Sequence, residues 1–294
     1  MTVINTNISA TLTANALTKN ERAMGQTMER LSTGLRINSA ADDAAGLAIS
    51  SKMTSQINGL NQAARNSNDA ISMLQTADGA AIEITNMLQR MRELSVQAAT
   101  GTNTSTDVAN LNTEFEALLS SIDAIANNTE WNGKKILNGT EGATGTVATT
   151  NKVITFHVGA NASQILEVDF GDWNVADGDH AALADSSKGV LGADFTLAGK
   201  NEITEITIAE LDTAIAGINT RRATYGAAIN RLEYTVDNLT NVSQNTAASR
   251  SRIQDADYAI ETTALARTQI IAQASTAMLA QANQVKQTVL ALLQ

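Results

Sequence analysis

Most of the residues that could bind a metal ion or take part in catalysis lie in the middle of this chain. Four aspartates fall close together there: Asp169, Asp172, Asp177 and Asp179. Carboxylates at such spacing can hold calcium, but this stretch lacks the glutamate that completes an EF-hand loop, so a solvated acidic loop is the favoured interpretation. His157 and His180 are the two histidines, and no His-Glu-x-x-His run exists. A metallopeptidase site is therefore not predicted.

Other catalytic arrangements are also missing from the sequence. The chain has no cysteine, which excludes disulfides, thiolate metal sites and cysteine nucleophiles together. It contains neither a phosphate-binding P-loop nor a Gly-x-Ser-x-Gly elbow. A net charge of −10 disfavours nucleic-acid binding, which needs a basic surface. We therefore predict a protein that is not an enzyme, with no catalytic residues, no cofactor and no metal.

Both ends of the chain instead carry apolar stripes that repeat every seven residues. The N-terminal stripe consists of Val3, Ala10, Leu17, Met24 and Leu31. The C-terminal stripe consists of Ile271, Met278, Val285 and Leu292, joined by Val289. Residues 1–18 contain no charge and residues 268–294 contain only Lys286. Such a repeat is typical of helices that pack lengthwise against other helices, so we predict that both stripes form an assembly interface.

The segments between these ends also have helical patterns. The chain has no proline, which suits long uninterrupted helices. The first helix is predicted to end near Gly34. Ser39 and Asp42 have capping-box spacing, which predicts the start of a second helix of about 55 residues. A third apolar pattern begins at Val108 and predicts a helix that folds back against the second.

The middle of the chain has the periodicity of strands. Asn132-Gly133 and Asn138-Gly139 flank the apolar pair Ile136-Leu137, a hairpin-like pattern. Two groups of alternating apolar residues predict strands: Ile154, Phe156 and Val158, then Leu166, Val168 and Phe170. Helical heptads follow at Leu211, Ile218, Tyr225, Leu232 and Leu239. We predict a mainly α fold, in which the N- and C-terminal arms form a long antiparallel coiled-coil-like rod with a small β-rich central insertion. The heptads alone leave an intramolecular bundle and an intermolecular one about equally favoured.

Three stretches resemble the signatures of bacterial flagellins. They are Leu31–Ile49 (LSTGLRINSAADDAAGLAI), Ser251–Ala259 (SRIQDADYA) and Ala277–Gln284 (AMLAQANQ). The resemblance implies a structural subunit that polymerises into the flagellar filament for swimming motility. It implies that residues 1–40 and 255–294 form the inner core of the filament and that residues 41–140 and 201–254 form the outer tube. Residues 141–200 would be a variable segment exposed on the surface.

The same resemblance implies the partners and the location of the protein. The partners are further copies of the chain, the flagellar export apparatus, a flagellin chaperone, and the hook-associated and cap proteins. The protein would be extracellular, and export through the flagellum fits a start, MTVINTNISA, without the features of a cleavable signal peptide. No membrane insertion is expected, because the longest apolar run, Val289–Leu293, is far shorter than the roughly 20 residues of a membrane span.

One further site follows from the resemblance alone. The stretch from Gln89 to Gln97 is similar to the part of flagellins that the host innate-immune flagellin receptor recognises. The implied contact residues are Gln89, Arg90, Leu94, Gln97 and Glu114. A solvated helix face is the plain alternative.

The sequence departs from the flagellin pattern at two positions. Lys286 stands where flagellins usually have proline, and His157 stands where glutamine is common. A hook–filament junction protein shares the helical framework and is one alternative function. A surface-exposed homologue used in adhesion or ligand capture, with a site in residues 140–200, is the other.

Overall fold

The protein is described by a computed structural model that covers residues 7–138, 153–171, 173, 203 and 208–291, without the side chains of residues 285–291. The helices in this part of the chain are α1 (Ile8–Thr33), α2 (Ala44–Ala98), α3 (Ser105–Asn128), α4 (Ile208–Gln254) and α5 (Tyr258–Ala291). The strands are β1 (Glu130–Trp131), β2 (Lys134–Lys135), β3 (Val153–His157) and β4 (Ile165–Asp169). The predicted mainly α fold with a small β-rich middle is confirmed.

The chain divides into two compact units. The terminal unit comprises Met1–Ile57 and Ser243–Gln294, and the middle unit comprises Asn58–Val242. Because α2 and α4 each cross from one range into the other, both helices contribute to both units. No helix among the described residues is long and apolar enough to cross a membrane.

In the terminal unit, α1 ends as the sequence predicts. Gly34 adopts a left-handed conformation with φ 72°, and its N–H donates to the carbonyl oxygen of Arg30 over 2.9 Å. Glycine is favoured at such a position because it has no Cβ to clash with the backbone.

The start of α2 differs from the prediction. The backbone N–H of Gly46 donates to Oδ1 of Asp43 over 2.8 Å, so Asp43 caps the helix. Asp42 accepts instead from the N–H of Ser39 over 2.9 Å and closes a turn ahead of the helix. The predicted capping box at Ser39 and Asp42 is therefore wrong, although the 55-residue length of α2 agrees with the expectation.

α1 and α5 pack against each other along a seam in which small and polar side chains alternate with larger apolar ones. The partly or fully buried positions of α1 include Ala10, Thr13, Leu17, Asn20, Met24, Thr27 and Leu31. Those of α5 include Glu261, Ala264, Leu265, Thr268, Ala272, Ser275, Leu279 and Ala282. The Asn20 side-chain amide donates to the Thr268 carbonyl oxygen over 2.7 Å, and Asn7 donates in the same way to Ala282 over 3.1 Å.

The core of the middle unit lies between α2, α3 and α4. All five predicted heptad positions of α4 are buried, which confirms the pattern: Leu211, Ile218, Tyr225, Leu232 and Leu239. Arg92 of α2 pairs with Asp212 of α4 over 2.6 Å, and Arg222 of α4 pairs with Asp78 of α2 over 2.7 Å. This order of partners shows that α2 and α4 run antiparallel in this unit.

α3 has a capping box that the sequence reading missed. The Thr104 hydroxyl accepts from the Asp107 N–H over 3.3 Å, and the Asp107 carboxylate accepts from the Thr104 N–H over 3.0 Å. The Thr104 hydroxyl also donates to the Asp107 carboxylate over 2.6 Å. This hydrogen bond, followed by the one from the Thr104 N–H, lowers the pKa of Asp107. Phe115 and Ile122 of α3 are fully buried in the core, as expected of a helix that packs against α2.

The strands form two antiparallel hairpins. Asn132 (φ 51°) and Gly133 (φ 76°) make the turn between β1 and β2, as the Asn-Gly pair predicts. The β3–β4 hairpin pairs Ile154 with Val168 and Phe156 with Leu166, so the predicted alternation is confirmed. Gly139, the second residue of the other predicted turn, lies outside the described residues.

Candidate assembly and recognition surfaces

Two of the stretches that carry the flagellin resemblance meet in the terminal unit. The backbone N–H of Arg36, after α1, donates to the carbonyl oxygen of Gln254 at the end of α4 over 2.7 Å. In return, the N–H of Ala256 donates to the carbonyl oxygen of Gly34 over 2.9 Å. The Arg36 guanidinium adds a 2.6 Å hydrogen bond to the Ile253 carbonyl oxygen. These bonds satisfy carbonyl groups that a helix end leaves without partners, and they join the α1–α2 and α4–α5 connections.

The Asp42 carboxylate stabilises the turn that connects α1 to α2. Asp42 accepts from the backbone N–H groups of Ser39 and Asn38 and, at 2.9 Å, from the side-chain amide of Gln26 on α1. These bonds, the one from Ser39 foremost, lower the pKa of Asp42 to about 2. The carboxylate therefore stays charged at pH values that protonate an ordinary aspartate.

Side chains near the end of α1 and the start of α5 contact each other. Arg30 lies 3.4 Å from the largely buried carboxylate of Glu261. The Tyr258 hydroxyl donates to the Leu31 carbonyl oxygen over 2.9 Å. A cation in the last turn of one helix and a carboxylate in the first turn of the other each suit the helix dipole.

The two predicted stripes have different positions in this unit. Ala10, Leu17, Met24 and Leu31 are half-buried and lie on the seam face of α1. Ile271 and Met278 are exposed, at 39% and 64%, and they flank the seam of α5, because each is three or four residues away from seam positions on either side. Val3 and Leu292 lie outside the described residues, as do the side chains of Val285, Val289 and Lys286. The role of both stripes in assembly stays a prediction.

Further large apolar side chains, which the sequence reading did not select, are exposed on the same two helices. On α1 they are Ile8, Leu12 and Met28, and on α5 they are Tyr258, Ile260 and Ile270. Leu12 is 71% exposed and Ile270 is 66% exposed. Isolated exposed apolar residues are ordinary, but several of them on two paired helices are typical of a contact surface. We call these side chains, with Ile271 and Met278, the outer apolar face.

The α2–α3 surface brings together part of the predicted receptor site. Arg90 Nε lies 2.8 Å from Glu114 Oε1, and its Nη1 lies 3.1 Å from Glu93 Oε2. These bonds, that to Glu114 first, raise the pKa of Arg90. Gln89 and Gln97 are exposed on the same helix.

Leu94 does not belong to this exposed surface. Only 1% of it is accessible, because it lies on the face of α2 that packs into the core of the middle unit. Leu94, which the resemblance implies as a contact residue, is therefore not accessible to a partner in this fold. Its spacing to Met87 and Met91 on the predicted apolar face already placed it inward.

Asp169, the first of the four clustered aspartates, forms an ion pair within the middle unit. Asp169 Oδ2 accepts from Arg221 of α4 over 2.6 Å, and Asp169 Oδ1 accepts from the Gly171 N–H over 2.9 Å. Asp172, Asp177, Asp179 and His180 lie outside the described residues. In the part of the chain that the structure covers, no group of three or more His, Asp or Glu side chains is arranged to hold a metal. His157 is exposed, and its carbonyl oxygen accepts from Asn66 over 3.2 Å.

An aromatic anchor, which the sequence reading did not identify, attaches the β3–β4 hairpin to α4. The Tyr225 hydroxyl and the Trp173 indole N–H both donate to the Phe170 carbonyl oxygen, over 2.7 and 2.8 Å. The Phe170 and Tyr225 rings lie 5.6 Å apart between centroids. All three side chains are fully buried, and this burial raises the pKa of Tyr225.

Paired terminal helices that expose large apolar side chains, together with a helical core, are typical of a structural protein that associates with further subunits. The sequence matches two family models in the same order, the bacterial flagellin N-terminal helical region over residues 4–142 and the C-terminal helical region over residues 208–293. It is 46% identical over 305 residues to the flagellin of Bacillus subtilis (strain 168), with 99% of each chain covered. It is 41% identical over 291 residues to the flagellar filament 33 kDa core protein of Treponema phagedenis, again with 99% of each covered.

The chain belongs to the bacterial flagellin family. It is therefore a structural subunit that polymerises with its own kind into the flagellar filament, outside the cell. A crystal structure of Bacillus cereus flagellin is 34% identical and covers 63% of this chain and 94% of its own, with a TM-score of 0.42. No observation favours the hook–filament junction protein or the adhesion homologue.

Proposed function

We propose that this filament subunit polymerises through the outer apolar face of α1 and α5. The observation that supports the proposal is the exposure of Leu12, Ile270 and Met278, which are all more than three-fifths accessible on their helices. Fully burying one such side chain contributes about 1.5–3 kcal/mol. Several of them on each subunit supply a driving force that repeats along the filament.

The composition of the α1–α5 seam supports the same proposal. Asn20, Thr27, Thr268 and Ser275 occupy seam positions where a stable isolated helix pair would have leucine or isoleucine. These polar positions reduce the burial energy that the seam contributes, so we infer that the pair gains much of its stability from neighbouring subunits. On this basis residues 1–40 and 255–294 form the inner core, residues 41–140 and 201–254 the outer tube, and residues 141–200 the exposed variable segment.

The uncharged part of α5 also indicates which partners the unassembled subunit needs. From Thr268 to Val285 α5 has no charged residue, and such a surface favours aggregation of the unassembled subunit. We infer that a flagellin chaperone covers it before the flagellar export apparatus passes the chain into the filament channel. Hook-associated and cap proteins at the two ends of the filament would contact the same face.

The α2–α3 surface supports a second kind of partner. Arg90 and Glu114 are about half exposed although they are paired, so both keep hydrogen-bonding capacity toward a ligand. We propose that the host innate-immune flagellin receptor contacts Gln89, Arg90, Gln97 and Glu114. Leu94 supports this surface from inside the core.

The assembly proposal is tested by placing a charge on the outer apolar face. Met278→Asp would bury an unpaired carboxylate at each contact, which costs several kcal/mol. We expect the full-length variant to keep the helical circular-dichroism spectrum of the middle unit and to form no filaments by electron microscopy. Ser163→Asp adds the same charge at the exposed turn of the β3–β4 hairpin and is the matched control, which we expect to polymerise. Normal filaments from Met278→Asp would contradict the proposal.

A further inference from the structure

Two methionines differ from the others in their accessibility. Met28 on α1 is 49% exposed and Met278 on α5 is 64% exposed. Both lie on the outer apolar face. The other methionines that the structure describes are partly or fully buried: Met24, Met53, Met73, Met87 and Met91. Since oxidation of methionine follows the exposure of its sulfur, the two exposed positions should react first in the monomer.

We propose that Met28 and Met278 are redox-sensitive modification sites, at which hydrogen peroxide or a similar hydroperoxide reversibly blocks polymerisation. In the reaction a lone pair of the thioether sulfur attacks one peroxide oxygen and the O–O bond breaks. A sulfur–oxygen bond forms, the sulfide is oxidised to the sulfoxide, and the departing oxygen takes up the proton. Hydrogen peroxide is thereby reduced to water and an organic hydroperoxide to its alcohol. This inference rests on the proposed role of the outer apolar face in assembly.

The surroundings of Met278 explain why the added oxygen matters. Ile271 lies two turns before it and Ala274 one turn before it on the exposed side of α5. No charged residue occurs between Thr268 and Val285, so α5 itself offers no cationic partner to a sulfoxide oxygen. A strongly polar oxygen buried without a hydrogen bond opposes burial of the surface. Oxidised subunits should therefore be excluded from growing filaments.

The same reasoning predicts protection after assembly. Once neighbouring subunits cover the outer apolar face, the sulfurs of Met28 and Met278 lose contact with peroxide in solution. Sulfoxide in a monomer can still be reduced by the two methionine sulfoxide reductases, one for each epimer. Only subunits with reduced Met28 and Met278 would thus join the filament, and assembly would then protect these methionines from oxidation.

The experiment uses the full-length chain treated with hydrogen peroxide, with each methionine mapped by peptide mass spectrometry. Stoichiometric oxidation of Met28 and Met278 should raise the critical concentration for polymerisation at least about tenfold, which corresponds to 1.4 kcal/mol. Treatment with both reductases should restore the original value. The Met28→Leu/Met278→Leu variant should show no such change between its own treated and untreated samples. In preformed filaments, both methionines should stay unoxidised under the same treatment.

Two results would overturn the inference. One is an unchanged critical concentration for monomer that is fully oxidised at both positions. The other is an equal loss of assembly in the treated double-leucine variant, which would place the effect at other methionines. If either result is obtained and Met278→Asp still forms no filaments, the oxidation proposal fails but the assembly proposal stands. If Met278→Asp forms filaments, the assembly proposal and the oxidation proposal both fail.

Discussion

The Tyr225 hydroxyl donates to the Phe170 carbonyl oxygen over 2.7 Å and so ties α4 to the segment after β4. Trp173 donates to the same carbonyl oxygen over 2.8 Å, so the acceptor keeps a partner when the tyrosine hydroxyl is removed. We expect Tyr225→Phe to lower the free energy of unfolding by only about 1 kcal/mol at neutral pH. Urea denaturation measures this difference.

The same variant has a defined alkaline behaviour. A tyrosine in an unfolded chain has a pKa near 10, and burial raises the pKa of Tyr225 in the fold. Above pH of about 10 the unfolded state therefore loses a proton that the folded state keeps, so stability falls as pH rises. Tyr225→Phe should show a smaller fall than the wild type in this range, and equal slopes would contradict the assignment.

Asp42 makes the stability of the fold depend on pH in the opposite direction, with stability lost as the pH falls. Its pKa is about 2 in the fold and about 3.9 in an unfolded chain, so the unfolded state binds more protons between these values. The stability that Asp42 contributes is complete above pH of about 4 and is lost as pH falls toward 2. Asp42→Asn should reduce the slope of stability against pH in this acid window. Asp69→Asn, a change at an exposed aspartate of α2, is the control and should leave the slope nearly unchanged.

Two glycines of α2 should respond oppositely to alanine. A Cβ at Gly46 would lie 2.5 Å from Asp43 Oδ2 and 2.6 Å from Ile37 Cδ1, where the cap and a buried side chain must shift. We expect Gly46→Ala to lower the free energy of unfolding by about 1 kcal/mol, the typical loss of a helix cap. Gly79 has nothing within 4 Å of the added atom, so Gly79→Ala should raise stability by roughly 0.5–1 kcal/mol. Thermal unfolding of both variants checks the contrast.

Arg90 and Arg92 allow a matched test of the receptor proposal. Both are exposed arginines of α2 in ion pairs, but Arg90 pairs with Glu114 of α3 and Arg92 with Asp212 of α4. Arg90→Ala in the monomer should weaken receptor binding by roughly 2 kcal/mol if it is a central anchor, while Arg92→Ala should bind like the wild type. Surface plasmon resonance with the receptor ectodomain measures both. Equal binding by all three proteins would identify the Arg90 surface as a solvated helix face.

The long periodic elements could be predicted from the sequence because their patterns match the burial directly. Ile218 and Tyr225 fall on the heptad of α4 and are fully buried, and Ile154 faces Val168 as their alternation predicts. The end of α1 at Gly34 followed from the conformational freedom of glycine.

The missed features depend on contacts between distant segments or on choices between adjacent residues. Asp42 and Asp43 both suit a cap, and only the hydrogen bond to Gly46 decides between them. α5 is apolar on several sides, so a seven-residue repeat through Ile271 cannot tell the buried seam from the exposed flank beside it. The bond from Arg36 to Gln254 joins segments far apart in sequence and left no local pattern.

The central claim is that α1 and α5 gain their stability from neighbouring subunits, and backbone amide hydrogen exchange tests it most directly. In a verified monomer, amides of Ile8–Thr33 and Tyr258–Ala291 should exchange rapidly, because polar side chains interrupt their seam and several of their large apolar side chains are exposed. In the filament the same amides should be strongly protected, while the buried part of α4 around Ile218 should be protected in both. Strong protection of both terminal helices in the monomer, unchanged on polymerisation, would contradict the account.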